Sequence, residues 1–597
     1  MSTSTSSTLP NPLQDALPID QAATARPDAH TQRYDRQLRL WASSGQSALE
    51  KARVLVVGGN ATATQTLKNL VLPGIGHFTL TSPVASTTPS DLGTNFFLSH
   101  SSLSNPLAPS AVSRLLELNT DVSGTPLVCA PSEITQENVA DHSLVLLVDV
   151  TPPEEARRIA DLAWENKVPV LKVQSAGFFG SVRAQVEELC IVETHPESLV
   201  DLRVQAPFPA LLEYAASFDY AKLDSEQHNH IPAVVILVKA LEEWKDSHNG
   251  SLPSGTPERK QFTDLILSQK IQSDEENFDE AVTLYRRAGV GSRPNVPREV
   301  EALFEDEACE GVSKDSSSFW LLLHAVRTFV RSNLSNPNRL LPLSGALPDM
   351  KASSSSYVAL RNLYKQKARE DRDEIARLVT ELEDRLGLGT MQGGGGEGGR
   401  GRIGEEDIET FVKHAAWVRV VRGRRISEEE SEEGCRLKGK IGSLLSSASF
   451  QQPPDISLYI YTALRAADRF YSSHSRYPGQ SDDQDLEADA CELEELAKGL
   501  LLAWKGDEDW SMFGVEEREV WSKLGEVVRE IVRAPPTTTL PQTSALLGGL
   551  VAQEAIKLVT KQYIPLGLAM GETRGERVGG ETVVWDGVRS GTGLVDA

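Results

Sequence analysis

Handling a nucleotide requires a loop that brings backbone amides up to phosphate, and one segment has the right setting for it. The apolar run Arg53-Val-Leu-Val-Val57 leads straight into Gly58-Gly59-Asn60-Ala61-Thr62-Ala63 and then into a helical pattern. Strand, glycine turn and helix follow one another in this way in dinucleotide and ATP loops. The spacing, however, reads G-x-N-x-x-A where G-x-G-x-x-G is expected. A middle glycine leaves only backbone facing the phosphate. Asn60 tolerates a left-handed conformation but sets a side-chain amide where the nucleotide would lie. The second strand should end in an acid that grips the ribose. Here it ends Thr81-Ser82-Pro83, and the next carboxylate is Asp91. Transfer chemistry on ATP also draws on cations near the polyphosphate, and from Asn69 to Ser113 there is not one Lys or Arg.

Other chemistry-bearing residues are isolated. Asp149, at the end of the apolar run Leu144 to Val148, stands where a magnesium ligand would, but a lone carboxylate makes no site. Cys309 and Cys491 lie among acids that raise a thiol pKa, and Cys190 lies in an apolar stretch. Cys435 has Arg436 and Lys438 beside it, which favours thiolate, yet a surface-loop thiol is the simpler account. His195, in Glu-Thr-His-Pro-Glu-Ser, has no evident partner and reads as a loop or core histidine. The five cysteines include no C-x-x-C pair, which argues against a disulfide framework and a structural zinc site and fits a reducing compartment.

The chain of 597 residues carries 60 Lys and Arg against 84 Asp and Glu, a net charge of −24. It would repel a phosphate backbone, so nucleic acid is not an expected partner. Runs such as Leu144 to Val148 and Ala233 to Val238 are far short of the roughly 20 apolar residues that span a bilayer. No membrane association is expected. Residues 1–30 lack the basic start and apolar core of a secretory signal and read as a disordered tail.

Around the loop, short apolar runs alternate with helical patterns through residues 31–175: Val54 to Val57, Leu67/Leu70/Val71, Phe78 to Leu80, Leu144 to Val148 and Val168 to Val173. That alternation predicts right-handed βαβ units and a parallel sheet, hence a Rossmann-like α/β fold. Residues 176–533 turn largely helical, as at Val234 to Trp244, Phe319 to Val330, Tyr357 to Leu386 and Leu458 to Tyr471. Two interruptions occur there. The Gly-rich stretch 387–404 reads as a flexible surface insertion, because no strand precedes it. The acidic run Ser427 to Gly434 reads as a solvated face. Residues 534–597 return to α/β character. A helix over Ser544 to Thr560 carries Gly548-Gly549 for close packing on a sheet, and two strands are predicted near Tyr563 to Ala569 and Thr582 to Trp585. The α/β domain is therefore discontinuous, with a large helical insertion, an arrangement that loop-tip insertion makes easy.

Several of these segments together carry a resemblance. Arg33-Tyr-Asp-Arg-Gln-Leu-Arg-Leu-Trp41, Gly45-Gln-Ser-Ala-Leu-Glu-Lys-Ala-Arg-Val-Leu-Val-Val-Gly-Gly59, Lys68-Asn-Leu-Val-Leu-Pro-Gly-Ile-Gly-His-Phe-Thr79 and Asp91-Leu-Gly-Thr-Asn-Phe-Phe97 resemble the adenylation (ThiF-type) domain of the enzymes that activate ubiquitin and ubiquitin-like proteins. Within that family, Asn60 to Thr64, Phe208-Pro209, Ser318-Phe-Trp320, Pro348-Asp-Met350, Arg465-Ala-Ala-Asp-Arg469 and the stretch from Gly548-Gly549 to Lys561-Gln562 resemble the regulatory subunits of the neddylation branch.

The resemblance implies a heterodimer. A catalytic activating-enzyme subunit would hold ATP, magnesium, zinc and the thioester-forming cysteine. The pair would adenylate a ubiquitin-like modifier and pass it to a conjugating enzyme, then to cullin-type targets, in the cytoplasm or nucleus. This chain itself would bind no cofactor or metal, and its insertion would correspond to a catalytic-cysteine domain. In catalytic relatives an aspartate matches Ser82, and the arginine of an Asn-Arg-Gln-Phe motif matches Thr94. Arg36 matches an arginine that reaches across the interface toward the partner's ATP, where a guanidinium supplied in trans would offset phosphate charge; the alternative is a pair with Asp35 or a cap on the interface. The stretch containing Leu341, Pro342, Leu343, Pro348, Asp349 and Met350 resembles a partner-contacting segment, although the residues alone show only a Pro-bounded loop. Three rival readings remain: a self-sufficient adenylating enzyme, a nicotinamide oxidoreductase needing an acid at Ser82, and the regulatory half for another modifier.

Overall fold

A computed structural model describes residues 28–193, 201–290, 296–332, 336–388, 402–431, 435–438, 440–449, 455–480, 486–538, 540–568 and 580–596. The tail through residue 27, His195 and most of the Gly-rich stretch lie outside these residues.

Five strands form a parallel sheet in the order β3-β2-β1-β4-β5: β1 (Arg53–Val57), β2 (His77–Thr81), β3 (Ser123–Leu127), β4 (Leu144–Val148) and β5 (Val170–Ala176). Central strands buried on both faces need continuous apolar runs, and β1 and β4 have them. β3 reads Ser-Gly-Thr-Pro-Leu and was invisible to that rule. It is the sheet edge, where Pro126 costs no ladder bond.

The sheet does not stop at residue 175. A sharp return leads into β6 (Phe179–Gln185), which pairs antiparallel with β5. Beyond it come β9 (Glu581–Asp586) and β10 (Gly591–Asp596), making eight strands. The expected strand at Thr582 to Trp585 lies within β9. The one expected near Tyr563 to Ala569 is not formed: residues 563–568 are turn and loop. Its backbone is instead drawn to Glu554, whose carboxylate accepts from the Leu566 amide at 2.7 Å.

Helices Ala61–Val71, Leu107–Leu116 and Pro541–Thr560 cover one face of the parallel sheet, and Gln136–Ala140 and Pro153–Glu165 the other. The close approach at Gly548 is helix on helix rather than helix on sheet. A Cβ there would fall 2.7 Å from the Gln65 Cβ and 2.9 Å from the Thr66 nitrogen. The sheet is met one residue earlier, by Leu547 over Gly180.

Between β6 and helix Pro541–Thr560 the helices form two groups. One lies between β7 (Glu188–Val192) and β8 (Val418–Arg422), which pair as a separate antiparallel ribbon. Helix Ser354–Leu386 runs through this group, burying Leu360 and Tyr364 in one core and Ile375 and Val379 in the next. The second group contains helices Ile426–Glu430, Ser457–His474, Leu486–Lys505 and Glu517–Arg533. It packs directly on the antiparallel part of the sheet, sharing a core with Phe179, Val584 and Val595.

Candidate functional site

Gly58 makes the turn after β1 with φ +111, and a Cβ there would fall 2.1 Å from the Val148 carbonyl oxygen, so only glycine fits. Over the next residue the space is already filled: Leu107 Cδ2 and Ser82 Cβ stand 2.6 and 2.9 Å from where a Gly59 Cβ would be. Asn60 caps helix Ala61–Val71, its Oδ1 accepting from the Ala63 amide at 3.1 Å. Its Nδ2 donates to Asp149 Oδ2 at 2.5 Å.

Asp149 has φ +47 and turns its carboxylate inward. Besides Asn60 it accepts from the Ser175 amide and hydroxyl, both at 2.6 Å. Burial pushes its pKa up to about 6, opposed by those hydrogen bonds and helped by nearby Asp468. The cavity in front of it, lined in part by Lys172, Asp468 and Tyr477, measures about 10 Å³, roughly the room one water needs. Ser82 is buried, and Asn95 is spent on Thr64, the Phe97 amide and the Gly59 carbonyl. The residues present do not fit ATP with magnesium: the loop's side chain is paired with Asp149, buried Ser82 stands where an acid would grip the ribose, and the one cation lining the cavity, Lys172, is paired with Glu430.

The Lys172 ammonium points to Glu430. That carboxylate also meets Arg157 and Arg465, at 2.6, 3.2 and 3.4 Å in turn. Burial pushes the Glu430 carboxyl up, but the three cations more than offset it and hold the pKa at about 2. Next to it, buried Glu429 pairs with Arg183 of β6 and accepts from the Tyr461 hydroxyl at 2.8 Å. The acidic run is therefore no solvated face at Glu429 and Glu430: the helix Ile426–Glu430 turns both inward, onto cations of β5, β6 and Ser457–His474. Asp468 completes the cluster, accepting from Gln174 at 2.8 Å and Tyr477 at 3.2 Å. A sequence signal existed: Arg465 and Asp468 interrupt the otherwise small and apolar stretch of Leu464, Ala466 and Ala467, which are all buried.

Arg36 sits near the start of helix Asp35–Lys51. Its neighbours anchor it: Arg33 pairs with Asp121 at 2.6 Å, and the buried Tyr34 hydroxyl donates to Asp121 and accepts from Asn119. Asp35 pairs with Arg39 rather than Arg36, at 3.1 Å. Arg36 is exposed and has no side-chain partner among the described residues. The helix kinks at Trp41 and Ala42, and Gln562 donates to the Trp41 carbonyl at 2.9 Å, tying the two ends of the discontinuous domain together.

The loop resembling a partner-contacting segment divides in two. Leu341, Pro342 and Leu343 are buried, with Arg203 donating to the Leu341 carbonyl and the Leu343 amide donating to Asp371 at 2.9 Å. Only its second half offers surface: Asp349 is exposed, and Pro348 and Met350 are half-buried.

The described cysteines offer no activated thiol where a shift is resolved. Burial raises the thiol pKa of Cys129, Cys435 and Cys190, and raises that of Cys309 to about 12. For Cys435 burial outweighs its cationic neighbours. Among the described residues no group of three or more His, Cys, Asp or Glu is placed to hold a metal ion, and no helix is long and apolar enough to cross a membrane.

The ThiF family model matches residues 34–576. The chain is 35% identical over 544 residues to the NEDD8-activating enzyme E1 regulatory subunit of Danio rerio, covering 89% of this chain and 95% of the relative. With the subunit of the same name from Xenopus laevis it shares 34% over 550 residues, again 89% and 95% of the two chains. Among solved structures, PaaA matches 27% of this chain and 51% of its own at 17% identity and a TM-score of 0.24.

Proposed function

We propose, from the fact that this chain belongs to the ThiF family and within it to the regulatory subunits of NEDD8-activating enzymes, that it is the non-catalytic half of a heterodimeric activating enzyme. Its catalytic partner subunit binds ATP and magnesium, adenylates the C-terminal glycine of the ubiquitin-like modifier, carries it as a thioester and hands it to a conjugating enzyme. The chain works in the cytoplasm or nucleus. The observation that carries this reading is the self-paired loop, in which Asn60, Asp149 and Ser175 use their polar groups on one another. A triphosphate would have to break those bonds in a pocket whose one lining cation, Lys172, is already paired with Glu430.

Two surfaces support a role in trans. Arg36 is held out by an anchored helix start with its guanidinium unspent. We assign it the offsetting of phosphate charge on the partner's nucleotide. Pro348, Asp349 and Met350 are assigned to partner contact, whereas Leu341, Pro342 and Leu343 hold the loop to its own core.

The purified chain alone should give no modifier-dependent exchange of pyrophosphate into ATP, and adding the catalytic subunit should restore it. Exchange by the single chain would overturn the proposal.

A further inference from the structure

A groove of about 530 Å³ opens on the first helical group, far from the nucleotide-type loop in sequence. Helix Pro209–Ala216 forms one wall through Leu212 and Ala216. Its floor is buried Ala215 and Val238, the latter on helix Ala233–Ser247. Small residues where the two helices meet leave the depression open. Tyr220 closes one side, and its hydroxyl is buried without a hydrogen-bond partner among the described residues. Gln269 lines the other side with its Oε1 in the same condition.

The rim is acidic. Glu242, Glu243 and Asp246 follow one another along the second helix, and the one cation of the lining, Lys239, is turned inward. Its ammonium donates to the Phe218 carbonyl at 2.8 Å and lies 4.9 Å from the centre of the Tyr220 ring. Glu242 is paired with Lys245 at 2.8 Å, and Glu243 holds the Gln269 amide at 2.9 Å. Asp246 is exposed and has no side-chain partner among the described residues. An apolar floor of this size takes a large side chain, and the unpaired carboxylate above it favours a cation next to that side chain.

We propose that this groove docks a short segment of another protein, one in which a large apolar residue is flanked by Lys or Arg. The apolar side chain enters between Leu212, Ala216 and Tyr220, as anchors do when a peptide lies in a helix-walled groove. The flanking cations meet Glu243 and Asp246. The site asks nothing of the nucleotide-type loop, so it stands whether or not the chain pairs with a catalytic subunit.

The test uses the full chain and fluorescein-labelled peptides read by anisotropy. One peptide has a central Trp between lysines, a second has Ala in place of the Trp, and a third has Glu in place of the lysines. The first should bind at least about tenfold more tightly than either of the others. Ala216→Phe, which fills the groove from an exposed position, and Asp246→Lys should each weaken it by a similar factor, with unchanged circular dichroism and melting temperature. Equal binding of the Trp and Ala peptides would mean that an acidic protein merely attracts lysines, and would overturn the proposal. So would binding that survives Ala216→Phe, or no binding of the Trp peptide.

Discussion

Replacing Glu430 by Gln removes one negative charge from the centre of three cations and keeps the side chain's size. In the native protein that carboxyl is held at about 2, against an ordinary 4.5, even though burial pushes the other way. At about 1.4 kcal/mol per pKa unit, the charged form is favoured by roughly 3 kcal/mol. Breaking a buried ion pair from one side commonly costs about 3 to 5 kcal/mol. Lys172 and Arg465, with side chains only 15% and 14% exposed, cannot recover that loss by turning to water. Glu430→Gln should therefore lower the free energy of the urea transition of the second helical group by about 3 kcal/mol at pH 7, followed by tryptophan fluorescence.

The sign with pH is fixed by the direction of the shift. A lowered pKa gives stability that is present above about 4.5 and is lost as pH falls toward about 2, so the gap between native and variant should close over that acid range. A loss below about 0.5 kcal/mol at pH 7, the size of an exposed pair, would refute the inward placement of Glu430. So would a gap that ignores acid.

In the assembled pair, Arg36→Ala should slow pyrophosphate exchange by about tenfold or more, with subunit association unchanged by analytical ultracentrifugation; an unchanged rate would remove the trans role. Gly548→Leu should destabilise by about 1 to 3 kcal/mol in thermal unfolding, because its Cβ meets Gln65 and the Thr66 nitrogen, whereas Gly549→Ala, with Asn69 Nδ2 4.0 Å away, should be neutral or stabilise by up to about 1 kcal/mol.

The parallel half of the sheet was legible because β1, β2, β4 and β5 are largely buried and carry apolar residues such as Val54 to Val57 and Leu144 to Val148, with Lys172, Gln174 and Ser175 as polar exceptions on β5. β3 and β10 were not, since edge strands such as Ser-Gly-Thr-Pro-Leu and Gly-Thr-Gly-Leu-Val-Asp need no such run. β6 was hidden by Gly180, Arg183 and Gln185, polar or small residues whose burial is sustained by partners far along the chain: Glu429 for Arg183, and the Ala160 carbonyl for Gln185. The same distance hid the charge cluster. A run containing Ser427 to Glu430 looks solvated as long as its neighbours in sequence are the only ones considered. Lys172 turns it inward from hundreds of residues before it, and Arg465 from helix Ser457–His474 further on. The loop at Asn60 was legible because its deviation lies within one motif, and what the sequence left out was the identity of its replacement partner.

That replacement explains how such a loop survives. In a phosphate-binding version the helix N-terminus offers amides to a bound anion, and the acid after β4 answers to a metal. Without those ligands the same groups would be left buried and unpaired, a cost of about 1 to 3 kcal/mol each. Asn60 deals with both: its carbonyl oxygen accepts from the Ala63 amide, and its amide donates to Asp149. Glycine at this position would do neither, and aspartate would cap the helix but face Asp149 with like charge. The side chain that stands where a phosphate loop has its middle glycine is thus the one that pairs both the helix N-terminus and Asp149, and Ser175 secures Asp149 from β5 with two further bonds. Because Lys172 lies on that same strand, the closed loop and the charge cluster brace one sheet from neighbouring positions.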